Sequence, residues 1–258
     1  MFKPFKILNT RAPRVDAFDK VTGKAVYTDD MTMPGMLYGA ILHSPLPHAR
    51  IINIDTSEAE KLPGVIAVIT HKDTPGKSFG VSPARYDEQI FCSDKVRYVG
   101  DEIAAVAAVS PDIARDALDF IKVEFEELPT VLDGQRAMEE GMPQLHEKYT
   151  NNIVQKVHWN FGDIEKGRSE SAIIRTDTLT SKMQDAAFME PQCALAVFDG
   201  NGYLTMYSST QAPHYVQRTL AMTLELPLHK VRVVKPAVGG GFGPKAACSS
   251  MELITCLL

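Results

Sequence analysis

What the sequence lacks narrows its function before any motif is considered. Its 258 residues carry 27 Lys and Arg against 32 Asp and Glu, giving a formal net charge of -5 and an isoelectric point near 5.8. No run of like charge forms a basic stripe, so the chain has no field with which to gather a polyanion, and nucleic acid is not an expected partner. No stretch reaches the roughly 18 consecutive apolar residues of a membrane span, and the opening MFKPFKILNTRAPRVD lacks the apolar core of a secretory leader. A cytoplasmic protein with no membrane partner is expected. The four cysteines, Cys92, Cys193, Cys248 and Cys256, form no Cys-x-x-Cys pair and have no histidine beside them. Neither a zinc site nor an iron–sulfur cluster is therefore expected in this chain, and the cysteines read as buried thiols of a reducing compartment. His43 and His48 are separated by prolines and the other five histidines are scattered, so no residue is assigned to a metal.

The composition, 45% hydrophobic and 23% charged, is that of a globular chain long enough for one large or two moderate domains. Its organisation changes near residue 133. Before that point GKAVYTDD, LYGAILHS, GVIAVIT, DEIAAVAAV and IKVEFEEL are short β-prone runs between Pro, Gly and Asp punctuation. One helix interrupts them: Ser110 is placed to cap it, Pro111 and Asp112 suit its first turn, and Ile113, Ala114, Ala117, Leu118 and Ile121 form one apolar stripe. The segment 133–150 is polar and reads as a surface connection. Beyond it, IIRTDTLTSKM and CALAVFDGNGYLTMYSS read as strands, the second a hairpin turning at Asp199–Gly202. Val216, Leu220 and Leu224 then mark a helix stopped by Pro227, KVRVVKP a strand, and Ala247, Met251, Ile254 and Leu258 a last helix. The fold class is α+β.

Between the last strand and the last helix lies VVKPAVGGGFGPKAACSS. Gly239, Gly240, Gly241 and Gly243 are free to take positive φ and leave backbone open to a ligand, while the amides at the next helix's start attract anions. The known nucleotide loops do not match: Pro244 precedes Lys245 and Ala246 follows it, so there is no Gly-Lys-Ser/Thr, and the Gly-x-Gly-x-x-Gly spacing fails from either starting glycine. On its own the loop is equally a turn that lets helix and sheet pack closely. The terminal MELITCLL is an apolar helical pattern with no polar stop, so an exposed apolar end, to be completed by another chain or a further segment, is expected.

Residues 209–245, STQAPHYVQRTLAMTLELPLHKVRVVKPAVGGGFGPK, resemble the first cofactor-binding segment of the molybdenum hydroxylases, the xanthine dehydrogenase and aldehyde oxidase family. The resemblance rests on the Thr-Gln strand end, the Leu-x-x-Pro, the valine-rich strand and Gly-Gly-Gly-Phe-Gly-x-Lys, with Gln211 and Phe242 31 positions apart. Upstream, DKVTGKAVYTDDMTMPGMLYGAILHSPLPHARI and KVRYVGDEIAAVAAVSPDIARDALDFIKVEFEELP resemble the family's small α/β hammerhead domain. This implies a hammerhead domain over 18–133, followed over 134–258 by the amino-terminal, incomplete part of a mixed α+β molybdopterin-binding domain.

The resemblance also implies a chemistry and a set of partners. The cofactor would be molybdenum–molybdopterin in its cytosine dinucleotide form, with iron–sulfur clusters and FAD on partner chains. The expected partners are an iron–sulfur subunit, an FAD subunit, a chain carrying the rest of the molybdenum domain, and a small-molecule substrate. By the family's pattern Gln211 is the catalytic-site glutamine that hydrogen-bonds the metal's oxygen ligand, and Gln211, Gly240, Gly241, Phe242 and Gly243 hold the cofactor, Phe242 also shaping the substrate pocket. Lys245 is read as either a phosphate partner or a solvated side chain, and Glu252 as a solvated or helix-pairing carboxylate. In MQDAAFMEPQ, Ala186 stands where family members often have His, with Glu190 and Pro191 retained, and Ala246 replaces the glutamate of purine-oxidising members. The family's general base would lie beyond residue 258. The implied activity is hydroxylation, or reductive dehydroxylation like that of 4-hydroxybenzoyl-CoA reductase, of an aromatic, heterocyclic or aldehyde substrate, with the isolated chain inactive. The alternative is a non-catalytic fragment or assembly module.

Overall fold

The computed structural model describes residues 6–8, 11–81 and 85–258; part of the opening segment in which a leader was sought therefore lies outside the described residues. The first half of the chain builds two three-stranded antiparallel sheets. One has the order β1 (Tyr38–His43), β5 (Glu102–Ala108), β3 (Val65–Thr70), and the other β4 (Lys95–Val96), β2 (Ala49–Asp55), β6 (Lys122–Glu127). Strand β5 is central and buried from Ile103 to Ala108, which is why its sequence is continuously apolar instead of alternating. Its small residues let α2 (Pro111–Ala117) pack across β1 and β5. That helix begins as expected, with the Ser110 side chain accepting from the Ile113 amide at 3.3 Å and Ala114 and Ala117 fully buried.

Three features of this half depart from expectation. GKAVYTDD is not a strand: Thr28–Asp30 form a turn of 3-10 helix, and Tyr27 makes a single parallel bridge to Ala237 in the second half. Strand β2 was missed, because Arg50, Asn53 and Asp55 punctuate it and an irregularity between Ile51 and Asn53 breaks the alternation. Short α1 (Ala17–Val21) was also not expected.

The connection over 133–150 lies on the surface and is tied down. Lys95 Nζ donates to the Gln144 carbonyl at 3.1 Å and pairs with Glu147 at 2.7 Å, while Arg97 Nε donates to the Leu145 carbonyl. Residues 151–192 are largely exposed and carry one short helix, α3 (Ile164–Glu170), capped by Asp163. The expected strand in IIRTDTLTSKM does not form, since no strand among the described residues offers it a ladder and β-propensity alone does not sustain one.

The last part forms a mixed sheet in the order β7 (Ala194–Phe198), β8 (Leu204–Ser208), β9 (Val231–Val234). β7 and β8 make the expected hairpin, with Asp199 Oδ1 accepting from the Asn201 and Tyr203 amides at 2.9 and 2.8 Å. β9 runs parallel to β8 after the crossover helix α4 (Pro213–Thr223), which ends before Pro227 at a left-handed Glu225. Helix α5 (Ser250–Leu257) packs on β7 and α4. Leu204, Met206, Val216, Leu220, Leu253 and Ile254 share one core with Phe79, Ile90, Phe91 and Ala105 of the first half, so the two halves are joined by continuous apolar packing. The terminal helix is correspondingly not the exposed apolar end that its sequence suggested: Leu253 and Ile254 are buried and Leu258 reaches Gly39.

Candidate functional site

Strands β8 and β9 are parallel neighbours in register from Leu204↔Val231 to Tyr207↔Val234, so both end at the same edge of the sheet. The segments that follow them are thereby brought together, as is general for ligand sites beyond the carboxyl ends of parallel strands. β8 leads into Ser209, Thr210 and Gln211; β9 leads into the glycine loop. Gln211 donates its amide N–H to the Lys245 carbonyl at 2.7 Å, and Thr210 Oγ1 donates to the same oxygen at 3.2 Å. The Gln211 side-chain oxygen in turn accepts from the Gly243 amide at 3.2 Å. This bond identifies which end of the side-chain amide is oxygen, and it leaves the exposed Nε2 with no partner among the described residues.

Each glycine has its own reason to be glycine. Gly240 and Gly243 have φ of +105° and +115°, backbone that side chains rarely adopt. Gly239 and Gly241, equally free to take positive φ, do not use that freedom. At Gly239 a Cβ would lie 2.6 Å from the Glu190 Cβ, and at Gly241 it would lie 2.5–2.7 Å from three atoms of the Gln211 side chain. Gly241 is thus the cradle on which Gln211 rests. Phe242 sits in the left-handed region at φ +47° with its ring 74% exposed, so it is not a core aromatic.

The amides of Gly240, Gly241 and Phe242 have no hydrogen-bond partner among the described residues. Three successive N–H groups without a partner among the described residues, next to the Gln211 side-chain amide, form a cradle of donors suited to a ligand rich in acceptor atoms; the cavity that Gly240 and Gly241 line also holds Lys20, Lys24 and Lys235 beside Asp16 and Asp19. By contrast, the start of α5 is not an anion site as anticipated. Its amides are met from within by a capping box, Ser249 N donating to Glu252 Oε2 at 2.9 Å, and six residues separate it from Gly243.

Two charged residues near the loop are placed differently from either sequence reading. Lys245 is 2% exposed and is neither solvated nor turned to a phosphate: its Nζ donates to Glu190 Oε2 and to the Glu190 carbonyl, both at 2.8 Å, and lies 4.8 Å from the Phe188 ring centroid. Glu252 is 4% exposed and also accepts from Ser208 Oγ at 2.9 Å, so it is a buried cap. Glu190 received no role from sequence; it accepts from the Gly239 amide at 2.7 Å, and its Oε1 is buried without a partner. The Glu190-Pro191 pair was visible in the sequence, but nothing local pointed to a cation 55 residues away.

Other titratable groups stand apart from the cradle. Burial, with Asp29 beside it, pushes the Cys193 thiol up to about 11. Burial likewise raises Cys92, Cys248 and Cys256, the last to about 12, so these are inert thiols. No group of three or more His, Cys, Asp or Glu among the described residues is arranged to hold a metal ion, and no helix of the described residues is long and apolar enough to cross a membrane.

Comparison with known proteins gives these features a context. Residues 22–129 match the family model described as "Aldehyde oxidase and xanthine dehydrogenase, a/b hammerhead domain", and residues 145–258 the "Molybdopterin cofactor-binding domain". The nicotinate dehydrogenase large molybdopterin subunit of Eubacterium barkeri is 39% identical over 246 residues, covering 95% of this chain and 57% of that protein. The xanthine dehydrogenase molybdenum-binding subunit of Escherichia coli O157:H7 is 32% identical over 241 residues, covering 90% of this chain and 32% of that protein. Among solved structures, quinoline 2-oxidoreductase from Pseudomonas putida 86 superposes with a TM-score of 0.86 at 32% identity, over 95% of this chain and 32% of that one. The chain thus spans between about a third and somewhat over half of these relatives. With a hammerhead fold followed by a glycine loop that Gln211 closes over, and with matches to both family models in that order, the chain belongs to the xanthine dehydrogenase and aldehyde oxidase family as the amino-terminal portion of its molybdopterin-binding large subunit.

Proposed function

We propose that this chain forms part of the cofactor site of a multi-subunit molybdenum hydroxylase that places oxygen on an electron-poor carbon of a nitrogen heteroaromatic. The observation that carries the reading is the donor cradle: three successive amides at Gly240, Gly241 and Phe242 without a partner among the described residues, beside a Gln211 whose oxygen is engaged by Gly243 and whose Nε2 has no partner among them. These residues fit a molybdopterin, which is rich in acceptor atoms, and the Gly241 backbone leaves room for no side chain above it. When bound, that cofactor supplies the two-electron oxidation that lets an oxygen from water be placed on carbon. In this reading the loop amides would donate to acceptor atoms of the cofactor, Gln211 Nε2 would donate to an oxygen at the reacting centre, and the exposed Phe242 ring would offer a flat apolar surface to an aromatic substrate.

The names of the relatives support both the substrate class and the assembly. A nicotinate dehydrogenase and a quinoline oxidoreductase act on nitrogen heterocycles, and "large molybdopterin subunit" and "molybdenum-binding subunit" denote parts of larger complexes. None of these names favours the reductive 4-hydroxybenzoyl-CoA reductase direction. We take iron–sulfur and FAD centres, the cytosine dinucleotide form of the cofactor and the remainder of the molybdenum domain to come from outside these residues, in a cytoplasmic complex. We take the base that removes a proton during hydroxylation to come from outside as well; the two carboxylates that meet the loop and the helix after it have other partners, Glu190 pairing with Lys245 and Glu252 capping its helix.

The test is to purify the chain together with the rest of its enzyme complex from a host making the cofactor, and to measure molybdenum by mass spectrometry and turnover of nicotinate, quinoline and xanthine. Near-stoichiometric molybdenum is expected, and Gln211→Ala should keep it while lowering kcat by about 10- to 100-fold. Absence of molybdenum in the wild-type complex would overturn the reading in favour of an assembly module.

A further inference from the structure

Burying an ammonium group is unfavourable unless it is paired and its donors are met. Lys245 meets that condition fully. Two of its N–H groups reach Glu190 Oε2 and the Glu190 carbonyl at 2.8 Å each, and the face of Phe188 lies 4.8 Å away, with side-chain exposures of 1% for Lys245 and 11% for Glu190. Such a site is more than a surface ion pair, and its position in the chain shows what it joins. Glu190 Oε2 also accepts from the Gly239 amide at 2.7 Å, so one carboxylate oxygen grips the residue where the glycine loop begins and the residue where it ends. At the far side of the same lysine, its carbonyl holds the Gln211 amide and the Thr210 hydroxyl. Three segments distant in sequence, 188–190, 209–211 and 239–245, are therefore locked through one buried ion pair.

We infer that Glu190 and Lys245 are positioning residues, a buried clasp that sets the curvature of the glycine loop and the place of Gln211 over it. Apolar contacts would fill the same volume but would fix no direction; a carboxylate with two donors at set angles fixes the ends of the loop, and with them the three free amides between. The clasp touches neither substrate nor cofactor and acts only through the loop and Gln211. Its consequence for the metal centre rests on the functional reading above; its structural part does not.

The test uses the full chain and the assembled complex with four variants: Lys245→Met, Lys245→Arg, Glu190→Gln, and Glu190→Gln with Lys245→Met. The double variant leaves no buried charge, so it reports on the clasp even where Lys245→Met fails to fold. In hydrogen–deuterium exchange of the full chain, peptides over 209–214 and 236–246 should exchange about tenfold faster or more in the double variant, with 102–109 in the first-half sheet unchanged. Exchange at the wild-type rate in both of these peptides, or an equal rise over 102–109, would overturn the inference. In the assembled complex the Mo(V) electron paramagnetic resonance signal of the double variant should be altered at retained molybdenum content, and Lys245→Arg should move it back toward wild type. A wild-type signal in the double variant would overturn the positioning role. If the wild-type complex holds no molybdenum, the functional reading fails while the exchange result still decides the clasp.

Discussion

Gly241→Ala is the smallest change that isolates Gln211. The backbone of Gly241 lies outside the left-handed region, so alanine meets no conformational penalty there, and reduced unfolded-state entropy favours the folded form by about 0.4–1 kcal/mol. The added methyl meets Gln211 first: it would lie 2.5, 2.6 and 2.7 Å from Oε1, Cδ and Cγ of that side chain. Carbon contacts settle near 3.5–4.0 Å, so the glutamine must withdraw by about 1 Å. It can do so cheaply, because the side chain is flexible and exposed, and among the described residues only its bond to the Gly243 amide is sacrificed. A displacement of about 1 Å in a group that meets the reacting centre costs on the order of 100-fold in rate, about 2.7 kcal/mol of barrier. The assay is kcat in the assembled complex, alongside molybdenum content and the urea midpoint. The expected result is a large loss of kcat with molybdenum and stability retained. An unchanged kcat would refute the assignment of Gln211 to the reacting centre, and a loss matched by lost molybdenum would show that the cradle, and not the glutamine, had been damaged.

Three further substitutions test other parts of the structure. Gly240→Ala and Gly243→Ala both force a side chain into φ beyond +100° and should each cost about 1–3 kcal/mol. Gly240→Ala should cost more, because its methyl would also lie 3.0 Å from the Phe242 ring while Gly243 faces open space; urea midpoints in the full chain decide the order. Glu102 joins the two halves by accepting from Ser250 Oγ, and burial raises its carboxyl above the ordinary range despite that bond. A raised acid binds its proton more tightly in the folded state, so its stabilisation is complete below the unfolded value and is lost as pH rises through the folded value. Glu102→Gln keeps a partner for Ser250 and removes this titration. Its stability should fall less than that of wild type between about pH 4.5 and neutrality, Glu88 contributing a remaining slope of the same sign. Urea midpoints across that range with an unaltered slope would show that Glu102 is not the group responsible.

Much of this protein is written locally. Ser110 and Pro111 start α2 as their chemistry dictates, the Asp199 turn makes its hairpin, β5 advertises burial on both faces by an unbroken apolar run, and the glycine loop falls between strand and helix as its flanks require. These follow from propensities and hydrogen bonds that operate within a few residues. Where a partner distant in sequence decides, local reading failed. β2 pairs in spite of its polar punctuation because β4 and β6 flank it, whereas IIRTDTLTSKM, with better strand chemistry, has no neighbouring strand among the described residues and stays unpaired.

The site divides along the same line. Gln211 and the glycines could be singled out by pattern, and the conformational freedom of Gly240 and Gly243 is intrinsic to glycine. Tertiary structure alone decided that Gly241 is needed for the bulk of Gln211 and not for its own φ, and that Lys245 and Glu252, which look like surface charges, are buried. A charge leaves water only when its partner is held in place, and here those partners, Glu190 for Lys245 and Ser208 for Glu252, are brought near by the parallel pairing of β8 and β9 and by the packing of α5, neither of which any short stretch of sequence encodes.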